Sequence, residues 1–102
     1  MSFPYEQVCR VTRLRGDPAA LGGAVTVALC GHWEHDGACR WPHHTTTETD
    51  GDEVLVAVRF DAADGEVDEV RRLIASSLRT GTMVGPDGEM TRWQVVDAST
   101  CQ

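Results

Sequence analysis

Apolar and polar residues alternate loosely through residues 5–15, where Val8, Cys9, Val11 and Leu14 stand among charged and amide side chains. A period near two puts successive side chains on opposite faces of a pleated chain, so a strand is expected. Gly16-Asp17-Pro18 reads as a turn. Pro18–Leu21 fits one helical turn closed by Gly22-Gly23. Ala24–Cys30 is a continuous apolar run with Val25, Thr26 and Val27 at its centre, and it predicts a buried strand. Asp36-Gly37 is a two-residue hairpin signal, because glycine accepts the positive φ of a type I′ turn. The entering strand would run from about Ala24 to His35 and the leaving strand from Ala38 to about Thr47. Pro42 cannot donate to a ladder, so the leaving strand should be bulged or lie at an edge. Asp50-Gly51 marks a second hairpin. It leads into Glu53–Phe60, where Val54, Val56, Val58 and Phe60 share one face and Leu55 and Ala57 the other.

The period then changes. Val67, Val70, Leu73, Ile74 and Leu78 fall on one side of a helix from about Glu66 to Thr80. Asp61 or Asp64 would cap it, Glu66, Asp68 and Glu69 would complement its N-terminal dipole, and Gly81 would stop it. Gly85-Pro86-Asp87-Gly88 predicts a turn between strands at Thr82–Val84 and Met90–Asp97, with Trp93 and Val95 on one face and Val96 on the other. These elements predict an α+β fold of two layers. An antiparallel sheet of four to six strands carries one long helix on one face, within a single domain over residues 1–102. A ferredoxin-like order would need a second long helix, and Asp17–Gly23 is too short to supply it.

Composition narrows the function classes. The 102 residues carry a formal charge of −7, which repels phosphate backbones and argues against nucleic acid. No apolar run approaches the ~20 residues of a membrane helix, so no membrane role is expected. The first residues lack the pattern of a signal peptide, which makes the cytoplasm the expected compartment. All nine basic residues are arginine, and lysine and asparagine are absent. That is the mark of a GC-rich genome and says nothing about function. The four cysteines, Cys9, Cys30, Cys39 and Cys101, are irregularly spaced, which favours reduced thiols. Cys9 reads as a small core residue.

Candidate chemistry is concentrated in residues 30–44, CGHWEHDGACRWPHH, which hold every histidine, two cysteines and two of the three tryptophans. A two-residue turn at Asp36-Gly37 would set Cys30 opposite His43 and put Cys30, His32, Cys39 and His43 on one face. Thiolate and imidazole are the preferred ligands of zinc, so these four residues form a candidate zinc site, with His35 or His44 able to replace one member. The spacing C-x-H-x6-C-x3-H is not that of a standard zinc finger. Packing offers a simpler account, with His32, Trp33 and Trp41 as cross-strand pairs and Arg40 stacked on an indole. Catalysis is a third: a histidine base oriented by Glu34 or Asp36, or a Cys30 or Cys39 nucleophile. No phosphate loop, nucleophile elbow or H-E-x-x-H is present. Asp50-Gly51-Asp52-Glu53 lacks the twelve-residue calcium-loop pattern and reads as a solvated turn.

His32-Trp33-Glu34-His35-Asp36-Gly37, followed by Cys39-Arg40-Trp41-Pro42-His43-His44-Thr45, resembles a stretch of small uncharacterised proteins from GC-rich actinobacteria. The resemblance implies no activity and no site assignment. The residues themselves lead to the expectation of a small cytosolic binding or accessory domain, without turnover, with zinc in the 30–44 hairpin. It would have a protein or small-molecule partner, and a homodimer is among the expectations. A small enzyme or redox protein using the same cluster, and a metal-free interaction domain, are the alternatives.

Overall fold

The computed structural model describes residues 3–30, 41–85 and 87–96, and of Cys30 the backbone alone. In chain order the elements are β1 (Tyr5–Arg15), α1 (Ala19–Cys30), β2 (His43–Asp50), β3 (Glu53–Phe60), a single 3-10 turn (Asp64–Glu66), α2 (Val67–Arg79), β4 (Thr82–Val84) and β5 (Met90–Val95). The strands form one antiparallel sheet in the order β2-β3-β1-β5-β4. The fold is α+β with five strands, as the alternating patterns imply.

Both helices lie on the same side of the sheet. Thr26 of α1 meets His43, and the carbonyl of Arg71 in α2 accepts a bond from Gln7. His43 pairs with Phe60, Phe60 with Tyr5, and Gln7 is two residues on from Tyr5. The core sits between these layers: Cys9 and Val11 of β1, Val54–Phe60 on alternate positions of β3, Leu21 and Val25 of α1, Val70, Ile74 and Leu78 of α2, and Trp93 of β5. The in-and-out alternation expected of Glu53–Phe60 is observed.

The largest departure from the sequence reading is α1. Ala24–Cys30 is the second half of a helix, not a strand, and Gly22-Gly23 lies inside that helix rather than ending it. The run AALGGAVTVALC has no charged residue, and every residue from Ala20 to Leu29 is buried or half-buried. A helix wetted on no side shows no 3.6-residue period, and its β-branched centre and two glycines locally favour other structure. Burial between the sheet and α2 outweighs those propensities. At Gly22 the helix packs on β2 with room for a methyl group: a Cβ there would stand 3.6 Å from Thr45 Cβ, an ordinary contact.

With two helices present, the chain takes the arrangement that a single helix had excluded. β1 and β2 are both antiparallel to β3 and are joined through α1. β3 and β5 are both antiparallel to β1 and are joined through α2. This is the split β-α-β, ferredoxin-like order, with β4 added at one edge.

The other boundaries follow local chemistry. Gly51, with φ +62°, turns β2 into β3. Asp50 and Glu53 flank that turn and both hold Arg10, at 3.2 and 2.9 Å. Gly81, with φ +74°, ends the helical stretch as expected, and a Cβ there would come within 2.8 Å of the Trp93 carbonyl oxygen. The Trp93 indole N–H donates to the Leu78 carbonyl at 2.7 Å, tying β5 to the last turn of α2. Neither Asp61 nor Asp64 caps α2 by a side-chain bond. Asp64 instead accepts from the Tyr5 hydroxyl at 3.2 Å. Arg71 lies over the Phe60 ring, 5.5 Å from its centroid, and donates to the Glu6 carbonyl.

Candidate functional site

Two of the residues picked out by the sequence stand where α1 ends and β2 begins. Cys30 is the last helical residue and His43 the first residue of the edge strand. His32, His35 and Cys39, with the Asp36-Gly37 hairpin and the packing of Trp33 and Arg40, lie outside the described residues. The strand pairing predicted for Cys30 and His43 does not form. Cys30 is helical, and the cross-strand partner of His43 is Phe60. β2 starts at His43, after Pro42, so the proline stands ahead of the strand and disturbs no ladder.

His43 is the best-defined member. Its side chain is half-buried on the helix-covered face. The Nδ1 atom lies 3.0 Å from the Trp41 carbonyl oxygen and Nε2 lies 3.2 Å from the Thr26 hydroxyl. A carbonyl oxygen only accepts, so Nδ1 carries the proton. In the neutral ring, Nε2 is then the acceptor for the Thr26 hydroxyl. Trp41 is itself only 4 % exposed and packs in the core, so the carbonyl that orients His43 is held by a buried indole. Beyond Pro42, whose carbonyl accepts from the Asp61 N–H at 3.0 Å, a shallow depression is bordered by Trp41, Asp61 and Glu66.

His44 takes the opposite face. It pairs with Arg59 and is exposed on the side away from the helices. It cannot share an ion with His43, which removes it as a substitute ligand. Among the described residues, no group of three or more histidine, cysteine and acidic side chains converges. Two of the four proposed donors lie outside those residues, as does the Cys30 side chain.

Cys9 corrects a second expectation. It is fully buried on β1 and disulfide-bonded. Its partner is one of Cys30, Cys39 and Cys101, the other cysteines of the chain. The strand pattern placed Cys9 in the core but carried no sign of the bond.

Thr26 was missed as a site residue because its neighbours read as a strand. A helical reading of residues 19–30 would have placed it one turn beyond Gly22, on the side facing β2.

At the same level of the sheet, the Tyr5 ring stacks on Phe60 with centroids 5.4 Å apart. The Tyr5 phenol titrates above its ordinary value of 10.0, first through desolvation, then through its hydrogen bond to Asp64. A separate cleft of about 480 Å³ opens between the start of α1 and the β4–β5 turn, bordered by Asp17, Asp87 and Glu89. Two of these carboxylates already serve the backbone, Asp17 accepting from the Ala19 N–H and Asp87 from the Glu89 N–H.

No protein-family model matches this chain, nor does any curated protein or solved structure.

Proposed function

We propose that this protein is a small binding domain, not a turnover enzyme, and that the connection from α1 to β2 is its ligand-binding element. Zinc is the favoured ligand, with Cys30, His32, Cys39 and His43 as its donors. The observation that carries this reading is the fixing of His43. Its Nδ1–H is spent on the Trp41 carbonyl, which makes Nε2 the accepting nitrogen, held at 3.2 Å from the Thr26 hydroxyl. Metal-binding imidazoles are commonly held this way, one nitrogen donating to a carbonyl while the other faces the ion. Thr26 releases Nε2 at small cost, because a helical threonine hydroxyl can bond back to the carbonyl four residues before it.

The Cys9 disulfide shapes the donor set. Bonding to Cys101 leaves all four donors. Bonding to Cys30 or Cys39 leaves one thiolate with His32 and His43, and His35 then completes four. Attack on the Cys9 sulfur itself is closed off, because thiol–disulfide exchange needs an accessible sulfur and Cys9 is 0 % exposed. No described helix is long and apolar enough to cross a membrane. Disulfides persist in oxidising compartments, so the bond at Cys9 favours such a compartment over the cytoplasm expected from the sequence.

The test is the zinc dependence of stability. His43→Ala should cost several kcal/mol in zinc buffer, because the ion leaves with its ligand, and far less in chelator. His32→Ala added to it should cost little more in zinc, since both remove one ion. Equal losses with and without chelator, each about 1 kcal/mol, would mean that His43 only packs.

A further inference from the structure

One face of the sheet is covered by α1 and α2, and among the described residues nothing covers the other. The four large apolar side chains that stand most exposed, Val8, Val84, Met90 and Val96, all project from that outer face. Val8 and Val96 are each 41 % exposed, Val8 beside Ala57 of β3 and Val96 beside Arg10 of β1. The three described ion pairs also lie there: Arg59 with Glu6 at one end of the apolar positions, and Arg10, which stands between Leu55 and Val96, with Asp50 and Glu53.

From these observations we infer that the outer face is a homodimer interface, in which two copies stack sheet on sheet about a two-fold axis parallel to the strands. Charge selects both the partner and the axis. The chain carries −7 overall, so two copies repel through most of their surfaces. On the outer face, β1 and β3 match each acid with an arginine. β2 adds Glu48 and Asp50 with no arginine of its own, Asp50 sharing Arg10 with Glu53, and β5 adds Arg92 with no acid. An axis along the strands lays the acidic β2 of each copy over the β5 of the other. An axis across the strands would lay β2 over β2, acid against acid.

Area sets the strength. Four strands spaced ~4.8 Å apart, each with four outward residues, span roughly 20 by 25 Å, or about 500 Å² per copy. The total of about 1,000 Å² is near the lower limit of specific interfaces, so the dimer should be weak and reversible, with a dissociation constant on the order of micromolar. This inference is independent of zinc, because His43 lies on the opposite side of the sheet.

Sedimentation of the full chain across a concentration series, with and without chelator, tests it. The expected result is a monomer–dimer equilibrium unaffected by chelator. Val8→Glu should weaken it about tenfold or more by burying a charge among the apolar positions. Arg92→Glu should weaken it a few-fold, with a smaller effect at high salt. Far-UV circular dichroism should show both variants folded, since both positions are exposed. A wild-type chain that stays monomeric at several hundred micromolar would overturn the inference. So would a dimer that a folded Val8→Glu variant leaves intact.

Discussion

Tyr5 gives the cleanest residue-scale measurement, because it is the single tyrosine of the chain. Desolvation and the bond to Asp64 favour its neutral form in the folded state. Tyrosinate absorbance should therefore reach its midpoint above pH 10, and Asp64→Asn should bring that midpoint back towards 10 while leaving the desolvation in place. The linkage follows in sign. The unfolded chain ionises first, so the contribution of Tyr5 is constant below pH 10 and is lost as pH rises through the raised folded value. A midpoint at or below 10 in the native protein would contradict the stacked, bonded position of the ring. Gly81 makes a second residue-scale case. Its φ of +74° and the nearby Trp93 carbonyl leave no room for a side chain, so Gly81→Ala should cost at least about 1 kcal/mol in a urea melt.

Helix α1 is the element that decides the topology, and Gly22 tests it. A Cβ at Gly22 would meet Thr45 at 3.6 Å, an ordinary contact, in a backbone without positive φ. Gly22→Ala should then stabilise the protein by about 0.5–1 kcal/mol through helix propensity and lost unfolded-state freedom. Were Gly22 instead the stop of a single helical turn, alanine there would be destabilising. The elements legible in the sequence are those with one wet face: β1, β3, α2 and β5 each alternate or repeat because solvent meets only one side. Both hairpin signals that fall on described residues, Asp50-Gly51 and the Gly85–Gly88 turn, were readable from turn chemistry. Helix α1 was hidden because burial on every side erased its period, and with it went the split β-α-β order. The candidate site was legible as composition but not as geometry. Of the histidines and cysteines of residues 30–44, the described residues place the Cys30 backbone at the end of α1 and His43 and His44 at the start of β2. Cys30 lies at a helix end and His43 at a strand start, so the two are not a cross-strand pair, and nothing in the local pattern could show that Thr26 stands beside His43.

Across the whole molecule, three features divide the labour. The helix-covered side of the sheet holds the core and the buried, disulfide-bonded Cys9, the corner between α1 and β2 holds the oriented His43, and the outer face offers a weakly apolar surface crossed by ion pairs. Peptide mapping without reduction should show Cys9 joined to one of Cys30, Cys39 and Cys101, and that assignment states which thiols remain for an ion. The central claim is that the α1–β2 connection holds zinc. Its most direct measurement is the metal content of protein purified without a histidine tag, after equilibration with zinc at neutral pH and removal of the excess. The reading predicts about one zinc per chain, reduced to near zero by His43→Ala in a protein that remains folded. Metal content near zero in the wild-type chain, or unchanged by the loss of His43, would contradict it.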